Sequence, residues 1–301
     1  MKLDRILMPT DFSEASHAAL DYALFLAEQH GAALDLLHVV VLHGSEPYDV
    51  AAQFPDADEV ARRLQEIASS TMQELLAARR TDHLEIREVH RRAITAAPAI
   101  LDYAADEDVD LIVLGTHGRR GVRRFLLGSV AEEVVRLAPC PVLTIPGKTR
   151  PELRPIARIV APVDYSEPSK SALAAAKELA ETYGGLVCAV HVLEPIPEYH
   201  PFTIGAGVPV DYRRLTEQAK ETLGRLVEEV GGPRVEVETE VLLGSPGPRI
   251  TEYAEQVEAD LIVVATHGHT GLSRLFLGSV AEKVVRLAGC PVLVLRNPSN
   301  E

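Results

Sequence analysis

Glycines and a serine at fixed spacing form the stretch of this sequence best suited to bind an anion. Gly115-Thr116-His117-Gly118 follows an apolar run, and nine residues later Gly128-Ser129 opens a helical pattern. Glycines let the backbone approach a ligand closely, and the free N–H groups and dipole of a helix start favour negative charge. The spacing therefore predicts a cradle for a phosphate group.

The same stretch occurs a second time, as Ala265-Thr266-His267-Gly268 followed by Gly278-Ser279. Residues 110–143 and 260–293 are identical at about 24 of 34 positions without a gap. A repeat of about 150 residues has the size of a domain, so it indicates a duplicated domain rather than a solenoid. The predicted organisation is a first domain at 1–146, a Pro-rich and charged linker at 147–155, and a second domain at 156–297.

Alternating strand and helix patterns must position these stretches. In the first copy, short apolar runs predict strands at 5–9, 34–41, 84–90, 110–114 and 142–145, and helices are predicted from 13 to 30, 58 to 80, 95 to 105 and 129 to 138. The second copy repeats this order. Because right-handed crossovers place helices on both faces of such a sheet, the pattern predicts an α/β protein. Each domain would be a doubly wound, Rossmann-like parallel sheet of five strands, with the alternating strand 84–90 at its edge.

The turn after the first strand is the predicted partner of the glycine stretch. In doubly wound sheets, ligands bind beyond the carboxyl ends of the strands where the winding direction reverses. A reversal between the first and fourth strands would bring Pro9-Thr10-Asp11 opposite Gly115. Either Asp11 or Ser13 can cap the first helix, and Gly31 should end it.

Composition limits the partners and the compartment. The formal net charge of −14 argues against sequence-independent binding to nucleic acid or to acidic membrane surfaces. No apolar run approaches the roughly 20 residues of a membrane span, and the N-terminus lacks a signal-peptide pattern, so we expect a cytoplasmic protein. Cys140 and Cys290 occupy matching places, which predicts small buried apolar positions rather than redox chemistry.

The spacing Gly115-x-x-Gly118-x9-Gly128-Ser129, with Asp11 after the first strand and His38-Val39 in the second, resembles the ATP-binding branch of the universal stress protein family. The resemblance covers nearly the whole chain, twice. It implies an adenine nucleotide alpha hydrolase-like fold, an adenine nucleotide (ATP) as ligand, and Mg²⁺ bound through the phosphates. It also implies that the domains pair through their last strands, 142–145 and 292–295, as a pseudo-dimer, and that two chains can pair further as a homodimer.

The resemblance also implies the ligand contacts. Asp11 would bind the ribose hydroxyls or neighbouring polar groups, and a carboxylate can accept two hydroxyls. The full set implied for the first copy is Pro9, Thr10, Asp11, Val39, Leu114, Gly115, Gly118, Gly128, Ser129 and Val130. The matching set in the second copy is Pro162, Val163, Asp164, Val192, Val264, Ala265, Gly268, Gly278, Ser279 and Val280.

The second copy departs from the pattern at two positions. Ala265 replaces Gly115, and its methyl group would either crowd the ribose or strain the backbone if φ is positive. Val163 replaces Thr10 and removes a hydroxyl. Between the glycines, the arginines at 119, 120, 123 and 124 of the first copy either neutralise the triphosphate or belong to a solvated loop.

Three functions fit these residues. The sequence has no Gly-x4-Gly-Lys-(Ser/Thr) loop and no evident nucleophile–base pair, which suits nucleotide binding, sensing or very slow hydrolysis. Together with the resemblance, this makes a nucleotide-dependent sensor or regulator in the stress response the first reading. A weak ATPase or a nucleotide-processing enzyme is the second reading, and an interaction scaffold that binds no nucleotide is the third. His38 and His191 are predicted to be hydrogen-bonded core residues, and His267 and His269 lack the neighbours of a protein-only metal site.

Overall fold

The computed structural model describes residues 2–41, 57–116, 127–147, 155–195, 211–266 and 277–296. The chain divides into two compact units, residues 2–153 and 154–301. Each unit contains one copy of the repeated strand and helix pattern.

The described part of the first unit alternates strands with helices throughout. Its elements are β1 (Arg5–Pro9), α1 (Glu14–His30), β2 (Ala33–Val41), α2 (Ala57–Ala77), β3 (Ile86–Ala93), α3 (Ala96–Asp106), β4 (Leu111–Gly115), α4 (Ser129–Leu137) and β5 (Val142–Ile145). The strands are parallel and lie in the order β3-β2-β1-β4-β5.

The described part of the second unit repeats this architecture. Its elements are β6 (Arg158–Pro162), α5 (Glu167–Tyr183), β7 (Leu186–Leu193), α6 (Tyr212–Glu229), β8 (Val237–Leu243), α7 (Pro246–Gln256), β9 (Leu261–Ala265), α8 (Ser279–Leu287) and β10 (Val292–Leu295). These strands are also parallel, in the order β8-β7-β6-β9-β10. The predicted fold class is therefore confirmed.

The winding direction reverses where the sequence predicted it. β1 pairs with β2 on one side and with β4 on the other, so the carboxyl ends of the first and fourth strands are neighbours. The central residues of β1, Ile6, Leu7 and Met8, are fully buried. Strands buried on both faces are typical of parallel sheets covered by helices on each side.

Local capping explains why the first helix begins and ends where it does. Ser13 is the N-cap of α1, and its hydroxyl accepts a hydrogen bond from the Ser16 N–H. Gly31 follows the helix in the left-handed conformation, at φ 64°, and its N–H bonds to the Ala27 carbonyl. Of the two predicted caps, Ser13 is therefore the one used, and Asp11 has another role.

The predicted ends of two elements were wrong. β3 runs from Ile86 to Ala93 instead of from 84 to 90, because it pairs with β2 up to the register Val41↔Ala93. Helix α2 ends at Ala77 rather than at 80. The Arg79 guanidinium bonds to the Leu75 carbonyl in the last turn of this helix and to Asp21. The pairing of β3 with β2 and the bond from Arg79 to Asp21 join different elements, so the hydrophobic pattern of one segment could not predict them.

The cysteines occupy structural positions. Cys140 is buried, as predicted, and burial raises the pKa of its thiol to about 12. Cys290 is half-buried. Since the thiolate is the reactive form, Cys140 carries little nucleophilic character at neutral pH.

Asp110 joins the starts of β1 and β4. Its Oδ2 accepts hydrogen bonds from the Asp4 N–H at 2.7 Å and the Arg5 N–H at 2.8 Å. Asp260 repeats this contact in the second unit, with the Ala157 and Arg158 N–H groups at 3.0 and 2.9 Å. The carboxylate satisfies two backbone donors at the start of β1, so it fixes the beginning of this strand.

We expect Asp110→Ala to lower the free energy of unfolding of the first unit by about 2–3 kcal/mol, because two charge-assisted hydrogen bonds are lost. Asp110→Asn retains an acceptor oxygen and should lose about half as much. Hydrogen exchange at the amides of Asp4 and Arg5, with Asp260→Ala as the matched control, measures the effect locally. Unchanged exchange in Asp110→Ala would contradict this role.

Candidate functional site

The turn that follows β1 holds Asp11 in a defined position. The Thr10 N–H donates to the Leu37 carbonyl at 2.8 Å, which continues the pairing of β1 with β2. The Asp11 Oδ1 then accepts hydrogen bonds from the Ser13 N–H at 3.0 Å and from the Ser16 hydroxyl. The carboxylate is thus anchored through one oxygen to the first turn of α1.

A histidine on β2 contacts this turn through a hydrogen bond and a ring contact. The His38 Nδ1 bonds to the Thr10 carbonyl at 2.8 Å, and the Phe12 ring lies against the imidazole with the centroids 4.6 Å apart. Because a carbonyl oxygen only accepts, Nδ1 carries the proton. His38 is therefore hydrogen-bonded, as the sequence predicted.

The second unit contains the same turn. The Val163 N–H donates to the Val190 carbonyl, and the His191 Nδ1 bonds to the Val163 carbonyl at 2.8 Å. Asp164 Oδ1 accepts from the Ser166 N–H at 3.1 Å and from the Ser166 hydroxyl at 2.5 Å. Asp11 and Asp164 are therefore both held through one oxygen, although the hydroxyl donor is Ser16 in the first unit and the helix cap Ser166 in the second.

In each unit, one backbone hydrogen bond joins the residue before the undescribed part of the glycine stretch to the glycine after it. The Gly128 N–H donates to the Thr116 carbonyl at 2.9 Å, and the Gly278 N–H donates to the Thr266 carbonyl at 2.7 Å. These bonds hold the start of α4 and of α8 beside the carboxyl ends of β4 and β9. Residues 117–126 and 267–276 lie outside the described residues, so Gly118, Gly268, the histidines of the motif and the four arginines are not placed.

The start of α4 can accept an anion. Gly128 is its N-cap and makes no side-chain cap bond, in contrast to Ser13 at the start of α1. A helix leaves its first four N–H groups without partners inside the helix, and here they lie at an exposed end, with Val130 38% exposed. Gly278 gives α8 the same uncapped start.

Gly115 is needed for packing and not for its φ. A Cβ at this position would lie 2.8 Å from the Ala15 carbonyl carbon and oxygen. Neither Gly115 nor Ala265 has a positive φ, so the condition for backbone strain at Ala265 is not met. The close approach of α1 to β4 is the physical reason for the glycine; the second unit has an alanine at this position.

The structure brings most of the predicted contacts together at one end of each sheet. In the first unit they lie at the carboxyl ends of β1, β2 and β4 and at the start of α4: Pro9, Thr10, Asp11, Val39, Leu114, Gly115, Gly128, Ser129 and Val130. In the second unit the same places are taken by Pro162, Val163, Asp164, Val192, Val264, Ala265, Gly278, Ser279 and Val280. Of the predicted sets, only Gly118 and Gly268 lie outside the described residues.

Sequence reasoning missed the aromatic residue that follows each aspartate. Phe12 and Tyr165 both adopt positive φ, at 62° and 66°, and both lie against the histidine of the neighbouring strand. The available signal was an aromatic side chain at the same place in both copies, one residue after Asp11 or Asp164.

Within the described ranges, no group of three or more His, Cys, Asp or Glu side chains could bind a metal ion. Among the helices of the described segments, none combines the length and apolar content that crossing a bilayer requires.

Fold and site together define a duplicated, doubly wound α/β protein with an anchored carboxylate and an uncapped helix start at each switch point. The model of the universal stress protein family matches residues 2–146 and 155–296. A universal stress protein of Mycobacterium tuberculosis (strain H37Rv) is 30% identical over 314 residues, covering 98% of this chain and 96% of the relative. The chain belongs to the universal stress protein family.

Two further comparisons agree with this assignment. A universal stress protein of Methanocaldococcus jannaschii is 37% identical over 151 residues, which cover 48% of this chain and 84% of that protein. The crystal structure of a universal stress protein from Archaeoglobus fulgidus superimposes with a TM-score of 0.66 at 21% identity, covering 98% of this chain and 99% of that chain. The second comparison supports the fold alone.

Proposed function

We propose that this protein binds ATP at the switch point of one or both units and acts as a nucleotide-dependent regulator in the stress response. The observation that carries the proposal is the pairing, in each unit, of an anchored aspartate with an uncapped Gly-Ser helix start. The helix start suits phosphate oxygens, because its N–H groups and dipole favour an anion. The aspartate suits the ribose hydroxyls, because an ionised carboxylate only accepts hydrogen bonds.

The fold supports this assignment of roles. Asp11 follows β1, and Ser129 begins α4, the helix after β4; because β1 and β4 are neighbouring strands, both residues lie at the end of the sheet where doubly wound proteins bind ligands. Buried Val39 and Leu114 at the ends of β2 and β4 supply an apolar surface for the base. Mg²⁺ would bind through the phosphates and water, the usual arrangement for this ion. We propose a cytoplasmic location, in keeping with ATP as the ligand. The association of two chains is a separate prediction.

Calorimetric titration of the full chain with Mg-ATP tests the proposal. We expect Asp11→Ala to weaken the first site by about 1.5–3 kcal/mol, or roughly 10- to 150-fold in Kd, because hydrogen bonds to a charged acceptor are lost. Asp164→Ala should affect the second site alone, and each variant serves as the control for the other.

Three outcomes separate the functions considered for this sequence. Binding by the wild type that Asp11→Ala weakens supports the proposal. Absence of binding by the wild type would instead favour the scaffold. Phosphate release well above background, abolished by Asp11→Ala, would identify an ATPase and overturn the purely regulatory role.

A further inference from the structure

Each unit places a bulky aromatic residue in a backbone conformation that such residues rarely adopt. Among the described non-glycine residues, positive φ occurs at Phe12, Tyr165, Asp108 and Glu258. The last two directly follow the C-caps of helices α3 and α7, where left-handed residues are common. Phe12 and Tyr165 do not follow a helix C-cap. Their aromatic rings also cannot form the local hydrogen bonds that stabilise Asn or Asp in the left-handed φ/ψ region.

Comparison of the two units shows which contacts hold the turn. In the first unit, the Phe12 N–H donates to the Thr10 hydroxyl at 3.1 Å. Val163 has no hydroxyl, yet Tyr165 adopts nearly the same φ. Both turns share backbone bonds to the neighbouring strand and to the first turn of the following helix. They also share two contacts to a side chain of that strand: the bond from the histidine Nδ1 to the carbonyl of the residue before the aspartate, and the aromatic ring packed on that histidine, with the centroids 4.6 and 4.5 Å apart.

These two contacts lie on either side of the aspartate. His38 anchors the carbonyl of Thr10, and the Phe12 ring packs on the same imidazole, so the backbone on both sides of Asp11 is attached to β2. The direction of the Asp11 carboxylate depends on that backbone. The Ser13 N–H and Ser16 hydroxyl then hold one of its oxygens.

We propose that His38 with Phe12, and His191 with Tyr165, are positioning residues that direct the ligand-binding carboxylates of Asp11 and Asp164. The inference rests on the proposed function and names the groups that set its selectivity for ribose hydroxyls. Loss of the pair frees the turn and reduces the contribution of the ribose hydroxyls to binding. The start of α4 is separate from this turn, so its binding of the phosphates is unchanged.

The test compares Mg-ATP with Mg-2′,3′-dideoxy-ATP on the full chain carrying Asp164→Ala, so that the first site is read alone. In this background, His38→Leu is expected to weaken ATP binding about tenfold and to leave the dideoxy nucleotide nearly unchanged, so the affinity ratio falls towards one. His38→Asn is expected to restore the ratio, because its amide nitrogen can take the place of Nδ1 and donate to the Thr10 carbonyl. The same series at His191, in the Asp11→Ala background, is the matched control.

A second variant keeps the test decisive if His38→Leu fails to fold. Phe12→Gly removes the ring but accepts positive φ without strain, and it should lower the ratio in a folded chain. A folded Phe12→Gly or His38→Leu chain with the ratio of its Asp164→Ala parent would overturn the positioning role, as would an Asn variant no better than Leu. A wild-type chain that binds neither nucleotide would overturn the proposed function itself and this inference with it.

Discussion

Gly115→Ala is expected to displace the start of α1 and to weaken nucleotide binding in the first unit. The added Cβ would lie 2.8 Å from backbone atoms of Ala15 and 2.9 Å from the Ala15 Cβ. Backbone atoms in a packed helix cannot swing aside as a long side chain can, so the helix must move. Overpacking of this kind costs about 1–3 kcal/mol in the free energy of unfolding.

The displaced residues belong to the same turn that anchors Asp11. Ala15 precedes Ser16, whose hydroxyl donates to the Asp11 carboxylate. A shift of the helix start therefore moves the carboxylate relative to α4. We expect the Kd for Mg-ATP at the first site to rise about tenfold or more, which corresponds to 1.4 kcal/mol or more.

Ala265→Gly is the matched control for this prediction. The second unit already accommodates a methyl group at that position, so removing it should cost only the conformational entropy of glycine, about 0.5–1 kcal/mol, and leave its nucleotide affinity near the wild-type value. Calorimetry and urea unfolding on both variants measure the two effects. An Ala variant at 115 that binds and unfolds like the wild type would contradict the packing argument.

Arg87→Ala is expected to destabilise the first unit by about 2–4 kcal/mol, because it breaks an ion pair to a buried carboxylate. The Asp35 side chain on β2 is fully buried, and its Oδ1 lies 2.9 Å from the Arg87 Nε on β3. Tyr103 donates to the Asp35 Oδ2 at 3.0 Å. Burial, followed by the hydrogen bond to Asp35, raises the pKa of Tyr103 to about 12, so the hydroxyl remains a donor.

The expected loss in the free energy of unfolding of Arg87→Ala is smaller than the loss for a fully buried ion pair. The Arg87 side chain is 41% exposed, so solvent screens part of its attraction to Asp35. The Arg5 guanidinium, with its Nε 3.9 Å from the Asp35 Oδ2, remains as a weaker partner. One bond from Tyr103 and one distant cation cannot replace the lost guanidinium at a carboxylate without access to water.

The second unit supplies the compensating variant. Cys188 occupies the position of Asp35, opposite Glu238 in the β7–β8 register. Burial, and next the Glu238 carboxylate, raises the pKa of the Cys188 thiol to about 11, so this position is neutral. We expect the double variant, Asp35→Cys with Arg87→Ala, to have a free energy of unfolding within about 1 kcal/mol of the wild-type value. Removing both charges of a buried pair often changes stability little. A double variant as unstable as Arg87→Ala alone would refute this account.

Much of the fold follows from short-range patterns in the sequence. The duplication, the alternation of strands and helices, and the reversal between β1 and β4 were all predicted correctly. Ser13, as one of two possible caps, and Gly31, as the end of the first helix, were also predicted, because each acts on backbone groups within a few residues. The buried Asp35 gave no such signal, since its partner Arg87 is on another strand.

By itself, the sequence determined the family, the order of the elements and the end of the sheet at which Asp11 and Ser129, and their counterparts Asp164 and Ser279, lie. Only the tertiary structure decided why Gly115 must be glycine, which contacts hold Phe12 at positive φ, and what neutralises Asp35. Capping and hydrophobic periodicity act between residues that are close in sequence, so a short segment of sequence is enough to predict them. The approach of α1 to β4, the contact of Phe12 with His38 and the pairing of Asp35 with Arg87 join residues 26 to 100 positions apart, and packing alone brings them together.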